Sequence, residues 1–386
     1  MTQQLSHTSD RRFAEPSTRA VHRPRTFLSA LEDRHLALAG VGPNLFAAVM
    51  GTSIVPIAAV TLPLQVPGLR GLAQVMWVVA GVALAGVSAV TVGHWRRHPE
   101  RARGHMNSPV MAHFYGALPM ALLAFGAATL LVGGDLIGAW AALAVDVGLW
   151  LVGTAAGLVT AVAVPYWAFT RHDVPADGAF GGWLMPVVPP MVSAATGALL
   201  IPHAHSGELR LDLLLACYAM FGLSLLASLV VITLLWGRLA MHGVGAAAMV
   251  PTLWIVLGPL GQSITATHNL GTQAGSALPT PFGSALRAAG LVYGLPVWGF
   301  ALLWASLALA ITVRTARKHL PFSLSWWSFT FPIGTLVTGT SGLAQSTGSV
   351  LLAGVSGLFF LGLLGAWLTV AVRTTTGLWS GALLRT

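Results

Sequence analysis

Ten apolar blocks follow one another along the chain with short linkers between them. They cover about 43–63, 71–92, 109–133, 137–165, 180–201, 208–236, 246–270, 284–313, 321–343 and 349–372. The hydrocarbon core of a bilayer takes ~20 apolar residues of helix, so each block is long enough to cross it. Strands of a membrane barrel alternate over about 10 residues instead, and these blocks do not. Only 8% of the 386 residues are charged. A soluble domain carries about 25%, so this chain cannot cover a water-facing surface. The expected fold is an all-α polytopic membrane protein with ten transmembrane helices.

The linkers orient it. With a cytoplasmic N-terminus, the inside segments are 1–42, 93–108, 166–179, 237–245, 314–320 and 373–386, and these hold 17 of the 20 Lys and Arg residues. The other three, Arg70, Arg210 and Arg287, stand at outward ends. Positive charge gathers on cytoplasmic loops, so both termini are expected inside, in the inner (plasma) membrane. The same bias accounts for a net charge of +9 without nucleic acid. Residues 1–40 read as a partly disordered cytoplasmic tail, 41–372 as the membrane domain and 373–386 as a second cytoplasmic tail. The first 40 residues are polar and basic and lack a signal-peptide pattern.

The spans are not alike. Proline falls in the odd-numbered blocks: Pro56, then Pro119, then Pro186, Pro189 and Pro190, then Pro251 and Pro259, then Pro332. Among the even-numbered blocks only the eighth has an interior proline, Pro296. Proline removes a backbone donor and bends the helix, and the freed carbonyls find partners more readily inside a bundle than in lipid. The alternation suggests five helical hairpins around a central pore, each with a kinked inner helix and a straight outer one. The odd blocks also carry most neutral polar residues, among them Asn44, Thr52, His113, Gln262 and His268, which are candidates for substrate or proton contacts. The ninth block has Trp326 and Trp327, then Phe329, Phe331 and Pro332, then hydroxyls at Thr335 and Thr338. It reads as a kinked helix lining a path, although small and hydroxyl residues also serve helix packing.

Charge inside the membrane is scarce. Asp146 is the one clearly central acid, and such residues are either functional or held by a structural hydrogen bond. The single cysteine, Cys217, rules out an internal disulfide and makes a thiolate metal site improbable. No P-loop, dinucleotide fingerprint or serine elbow is present. His94 and His98 lack a third ligand nearby. An enzyme is therefore not expected, nor a metal or cofactor.

The stretch from Val41 to Val55, VGPNLFAAVMGTSIV, resembles the first span of the tellurite-resistance/dicarboxylate transporter family, which includes TehA-type proteins and slow-type anion channels. The ninth-block run Ser325–Pro332, the run Asn107–His113 behind its basic linker, and Gly258–Gln262 resemble that family too. The resemblance implies a homotrimer with a separate anion pore in each subunit. It also implies a pore plugged by a phenylalanine of the ninth helix, Phe331 here, with Phe329 as the register alternative. The substrates it implies are small anions: C4-dicarboxylates, sulfite, nitrate or chloride. Three functions stay open from the residues: a passive or weakly coupled anion pathway, a proton-coupled carrier or exporter using His113, His268 or Asp146, and a structural or sensory protein without flux.

Overall fold

The computed structural model describes residue 28 and residues 34–384. Of the expected tail 1–40, all but residue 28 and residues 34–40 lie outside the described residues. Residues Arg34–Gly40 form a 3₁₀ turn that packs on the second long helix and on the turn Ala382–Leu384.

The described residues are helical throughout, with ten principal α-helices: α1 (Phe46–Thr61), α2 (Leu69–Arg97), α3 (Ala117–Ala128), α4 (Ala139–Thr170), α5 (Pro189–Leu200), α6 (Gly207–His242), α7 (Leu257–Ala277), α8 (Phe282–Ala316), α9 (Phe331–Thr347) and α10 (Val350–Ser380). Eight helical stretches among the described residues are long and apolar enough to cross a membrane, two fewer than the sequence suggested. The two that fall short are the fifth and ninth blocks. Proline is the cause. Pro186, Pro189 and Pro190 leave α5 only 12 residues long, and Pro332 opens an α9 of 17.

Burial alternates along the chain. The apolar window of Pro43–Thr61 is 78% buried and that of Ala247–Ala277 is also 78%, against 11% in α2 and 17% in α8. Nearly all of α5 is buried as well. The long helices α2, α4, α6, α8 and α10 expose broad faces of Val, Leu and Phe, a surface suited to lipid. Proline is not confined to the buried helices. Pro165 lies inside α4, which continues to Thr170.

Each of the five buried helices has a 3₁₀ segment before it: Pro43–Leu45, Met111–Gly116, Gly181–Leu184, Ala247–Val256 and Leu324–Phe329. Proline and glycine at the junctions account for this pattern, because a 3₁₀ turn forms with fewer α-type bonds and tolerates a missing donor.

Tryptophan N–H groups join neighbouring helices. Trp77 Nε1 donates to Thr129, Trp254 to Thr312, Trp298 to Thr340, Trp327 to Thr374 and Trp367 to Thr52, at 2.9–3.1 Å. An indole N–H left unpaired in lipid is costly, so each pair fixes a helix contact. The last joins α10 back to α1. Small residues bring α7 and α9 together. A Cβ on Gly261 of α7 would lie 2.5 Å from the Thr335 carbonyl carbon of α9 and 2.7 Å from the Leu336 nitrogen.

Candidate functional site

Two small chambers lie in line among the buried helices. The proximal chamber, on the side of the 3₁₀ segments, is lined by Met50, Met120, Val188, Pro259 and Pro332, with Phe114, Met185 and Ser328 among others. The distal chamber is lined by Ile54, Ala124, Val192, Gln262 and Thr338, with Thr196, Thr265 and Asn269. Helices α1, α3, α7 and α9 contribute to both chambers at positions about one or two helical turns apart, such as Met50, Ile54 and Ile57 on α1, while α5 lines the distal chamber and Met185 and Val188, just before it, line the proximal one. That spacing keeps side chains on one helix face, so five faces converge on one axis.

Phe331 is the residue common to both chambers. It is 2% exposed and stands at the first position of α9, where Pro332 forces the change from 3₁₀ to α. The chambers have volumes of about 20 and 30 Å³. A water needs ~10–15 Å³ on this measure, so each holds one or two waters. The Phe331 side chain lies between the two chambers.

Phe329 sits elsewhere. Its ring packs edge-on against Trp254 and Trp326, with centroids 5.5 and 5.6 Å away. The other residues singled out from the sequence divide in the same way. Gln262, Pro259, Pro332 and Thr338 line the chambers. Thr335 ties α9 to α7 by donating to Leu257 O at 3.1 Å. Thr52 donates to Ala48 O and accepts from Trp367, so its hydroxyl is taken up at the α1–α10 joint. Pro119 and Pro189 face α4, beside Gly153 and Gly157, and Pro186 packs on Gly116. Pro56 and Pro251 are buried within their helices and line neither chamber.

His113 is buried, stacked on Trp183 at 6.0 Å and edge-on to Phe180 at 5.6 Å. Its Nδ1 has no hydrogen-bond partner. His268 shares a hydrogen bond with Ser346 at 3.0 Å between α7 and α9. Asn44 is half-buried in the 3₁₀ segment before α1. Asp146 of α4 is 1% exposed, points at Gly126 of α3, and has no partner on either oxygen. None of these four lines a chamber. The apolar lining residues Met50, Ile54, Met120 and Val192 were missed by the sequence reading. Their signal was the i, i+3, i+4, i+7 stripe, which is hidden where the whole helix is apolar.

The lining holds no acid and no base. Neutral hydroxyls, amides and methyl groups surround a narrow axis inside the lipid-facing helices. The sequence profile of the family described as SLAC1, voltage-dependent anion channel, matches residues 40–375. The chain belongs to that family, and it moves anions across the membrane through its helical bundle. It is similar to the sulfite efflux pump SSU1 of Arthroderma otae, 27% identical over 89% of this chain and 92% of the relative. It is also similar to that of Trichophyton rubrum, 27% identical over 82% and 85%. The uncharacterized transporter MJ0762 of Methanocaldococcus jannaschii is 25% identical over 88% and 95%.

Proposed function

We propose that the chain is a conduit for small inorganic anions, sulfite among them, closed by the Phe331 ring. The observation that carries this reading is the position of Phe331, shared by two chambers that are otherwise lined by successive turns of α1, α3, α7 and α9, and by α5 with the segment just before it. A hydrophobic constriction holds a pathway shut by excluding water, and moving one ring would join the chambers. The sulfite efflux relatives supply the substrate class.

In this reading residues 41–372 form ten spans in five hairpins with the odd helices inside, both termini face the cytoplasm, and the membrane is the plasma membrane. The alternation of buried and exposed helices supports the arrangement, and the charge bias of the linkers supports the orientation. The exposed Arg96, Arg97, Arg101 and Arg103 lie at the proximal mouth, where they concentrate anions by their field. A homotrimer with one conduit per subunit belongs to this reading, on the family likeness alone.

Liposome flux of chloride, nitrate, sulfite and malate tests this. Phe331→Ala raises inorganic anion flux at least tenfold. Phe329→Ala, which removes a ring from the Trp254–Trp326 stack, leaves the resting flux at the wild-type level. Equal flux in wild type and a folded Phe331→Ala protein would overturn the gate. A second reading, a proton-coupled carrier, is favoured by the unpartnered buried atoms of Asp146 and His113. Uptake driven by a pH gradient and lost in Asp146→Asn would support it.

A further inference from the structure

Among the described residues, the distal chamber has one polar side chain with a buried atom left without a partner. Thr196 donates to Val192 O at 2.9 Å. Thr265 and Thr338 are bonded to each other at 2.7 Å and to the carbonyls of Gly261 and Thr335. Asn269 Nδ2 donates to Ala195 O at 3.0 Å. Gln262 is different. It is 4% exposed, it lines the chamber beside Phe331, and its Oε1 is buried with no partner. No hydrogen bond to its carboxamide is found among the described residues. Buried amides are nearly always bonded, and each exception calls for an explanation.

The chemistry of the chamber narrows what the missing partner can be. A half-turn about the last side-chain bond exchanges the carboxamide oxygen and NH₂ at the same steric cost. With the NH₂ turned in, Gln262 presents two donors to the space next to the ring. The other polar groups have their hydrogens committed to backbone or to one another, Asn269 retaining one. No Lys, Arg or His lines the chamber. An ion held here therefore meets a few neutral donors and no counter-charge. That is enough to replace part of the hydration shell of a monovalent anion, and too little for a dianion. The volume of about 30 Å³ also excludes a dicarboxylate.

We propose that Gln262 is the ion-contacting, specificity-determining residue of a neutral one-ion site for monovalent anions, chloride, nitrate or bisulfite, on the distal side of Phe331. This deepens the conduit reading and rests on it for its place on the pathway. The amide acts by direct donation to the ion, and Phe331 confines the ion on the proximal side.

Two measurements test it, both on the full-length protein. In the first, chloride and nitrate flux is measured in liposomes in a Phe331→Ala background. Gln262→Leu, close in volume and without donors, lowers both at least tenfold. Gln262→Asn, which keeps a shorter amide, restores part of the loss. Gln74→Leu, far from the axis on α2, has no effect. In the second, nitrate is titrated into detergent-purified protein and the melting temperature is followed. Nitrate raises it in wild type and not in Gln262→Leu, and sulfate at equal ionic strength gives no rise. Equal stabilisation of both proteins by nitrate, or undiminished flux in Gln262→Leu, would overturn the proposal. Should Phe331→Ala carry no flux while nitrate still stabilises only proteins with the amide, the site stands and the conduit reading fails.

Discussion

Thr265 on α7 and Thr338 on α9 share a hydroxyl–hydroxyl hydrogen bond of 2.7 Å at the wall of the distal chamber. One hydroxyl donates to the other, and the acceptor gives its own hydrogen to a carbonyl of its helix, Gly261 O at 3.0 Å from Thr265 or Thr335 O at 3.1 Å from Thr338. The pair therefore works as a cross-link that consumes polar groups in a place where water is nearly absent. Thr338→Val keeps the shape and removes the link. Stability falls by about 0.5–1.5 kcal/mol, the usual net worth of a hydrogen bond. Thr265→Val added to it costs less than its own single effect, because the shared bond is already gone. Thermal or denaturant unfolding of the two singles and the double in detergent measures the cycle.

Gly261 and Gly339 hold the same two helices at contact distance. A Cβ at Gly261 would lie 2.6 Å from Thr335 Oγ1 as well as against the α9 backbone, and one at Gly339 would lie 2.8 Å from Gly261 O. Backbone cannot give way as a flexible side chain does. Gly261→Ala forces α7 and α9 apart, at a cost of about 1–3 kcal/mol or more, as overpacking does. Because α9 begins with Phe331, the same change displaces the proposed gate, and anion flux rises above the wild-type level. Gly258→Ala on the same helix has only a 4.0 Å contact with Pro332 to meet and is tolerated. Melting temperature and flux of the two alanine variants separate the cases.

Acid loosens the linker between α2 and α3. His94 Nδ1 donates to Leu38 O at 2.7 Å, pinning the segment 34–40, and His105 stacks on His94 at 5.4 Å. Burial, and after it the neighbouring His94, hold the His105 pKa below the usual 6.5. The folded protein therefore takes up this proton less readily than the unfolded chain. Stability from this contact is complete above the unfolded value and declines as pH falls below about 6.5. The melting temperature drops between pH 7.5 and pH 5.5, and the drop shrinks in His105→Gln. A pH response unchanged in that variant would remove His105 from the account.

The class of protein was written in composition and spacing. Only a membrane can solvate so many long apolar blocks, so an all-helical membrane protein followed directly. Proline is frequent in the helices that the structure buries, although Pro165 and Pro296 lie in exposed ones, and the motif Ser325–Pro332 brought Phe331 forward. The number of long helices was overestimated, because an apolar run does not reveal how far its prolines shorten the regular helix. The 3₁₀ segments before the buried helices were illegible for a related reason. Their side-chain period differs little from that of an α-helix over so few residues.

What the tertiary structure alone decided is which polar side chain meets the axis. Thr52 and Thr338 are the same residue in similar surroundings of sequence, yet one joins α1 to Trp367 and the other lines a chamber. Rotation about the helix axis makes the difference. A buried helix that is apolar all round carries no amphipathic stripe to report its rotation. The placing of Phe331 between two chambers, and the unbonded amide oxygen of Gln262 beside it, arise only where five helices meet.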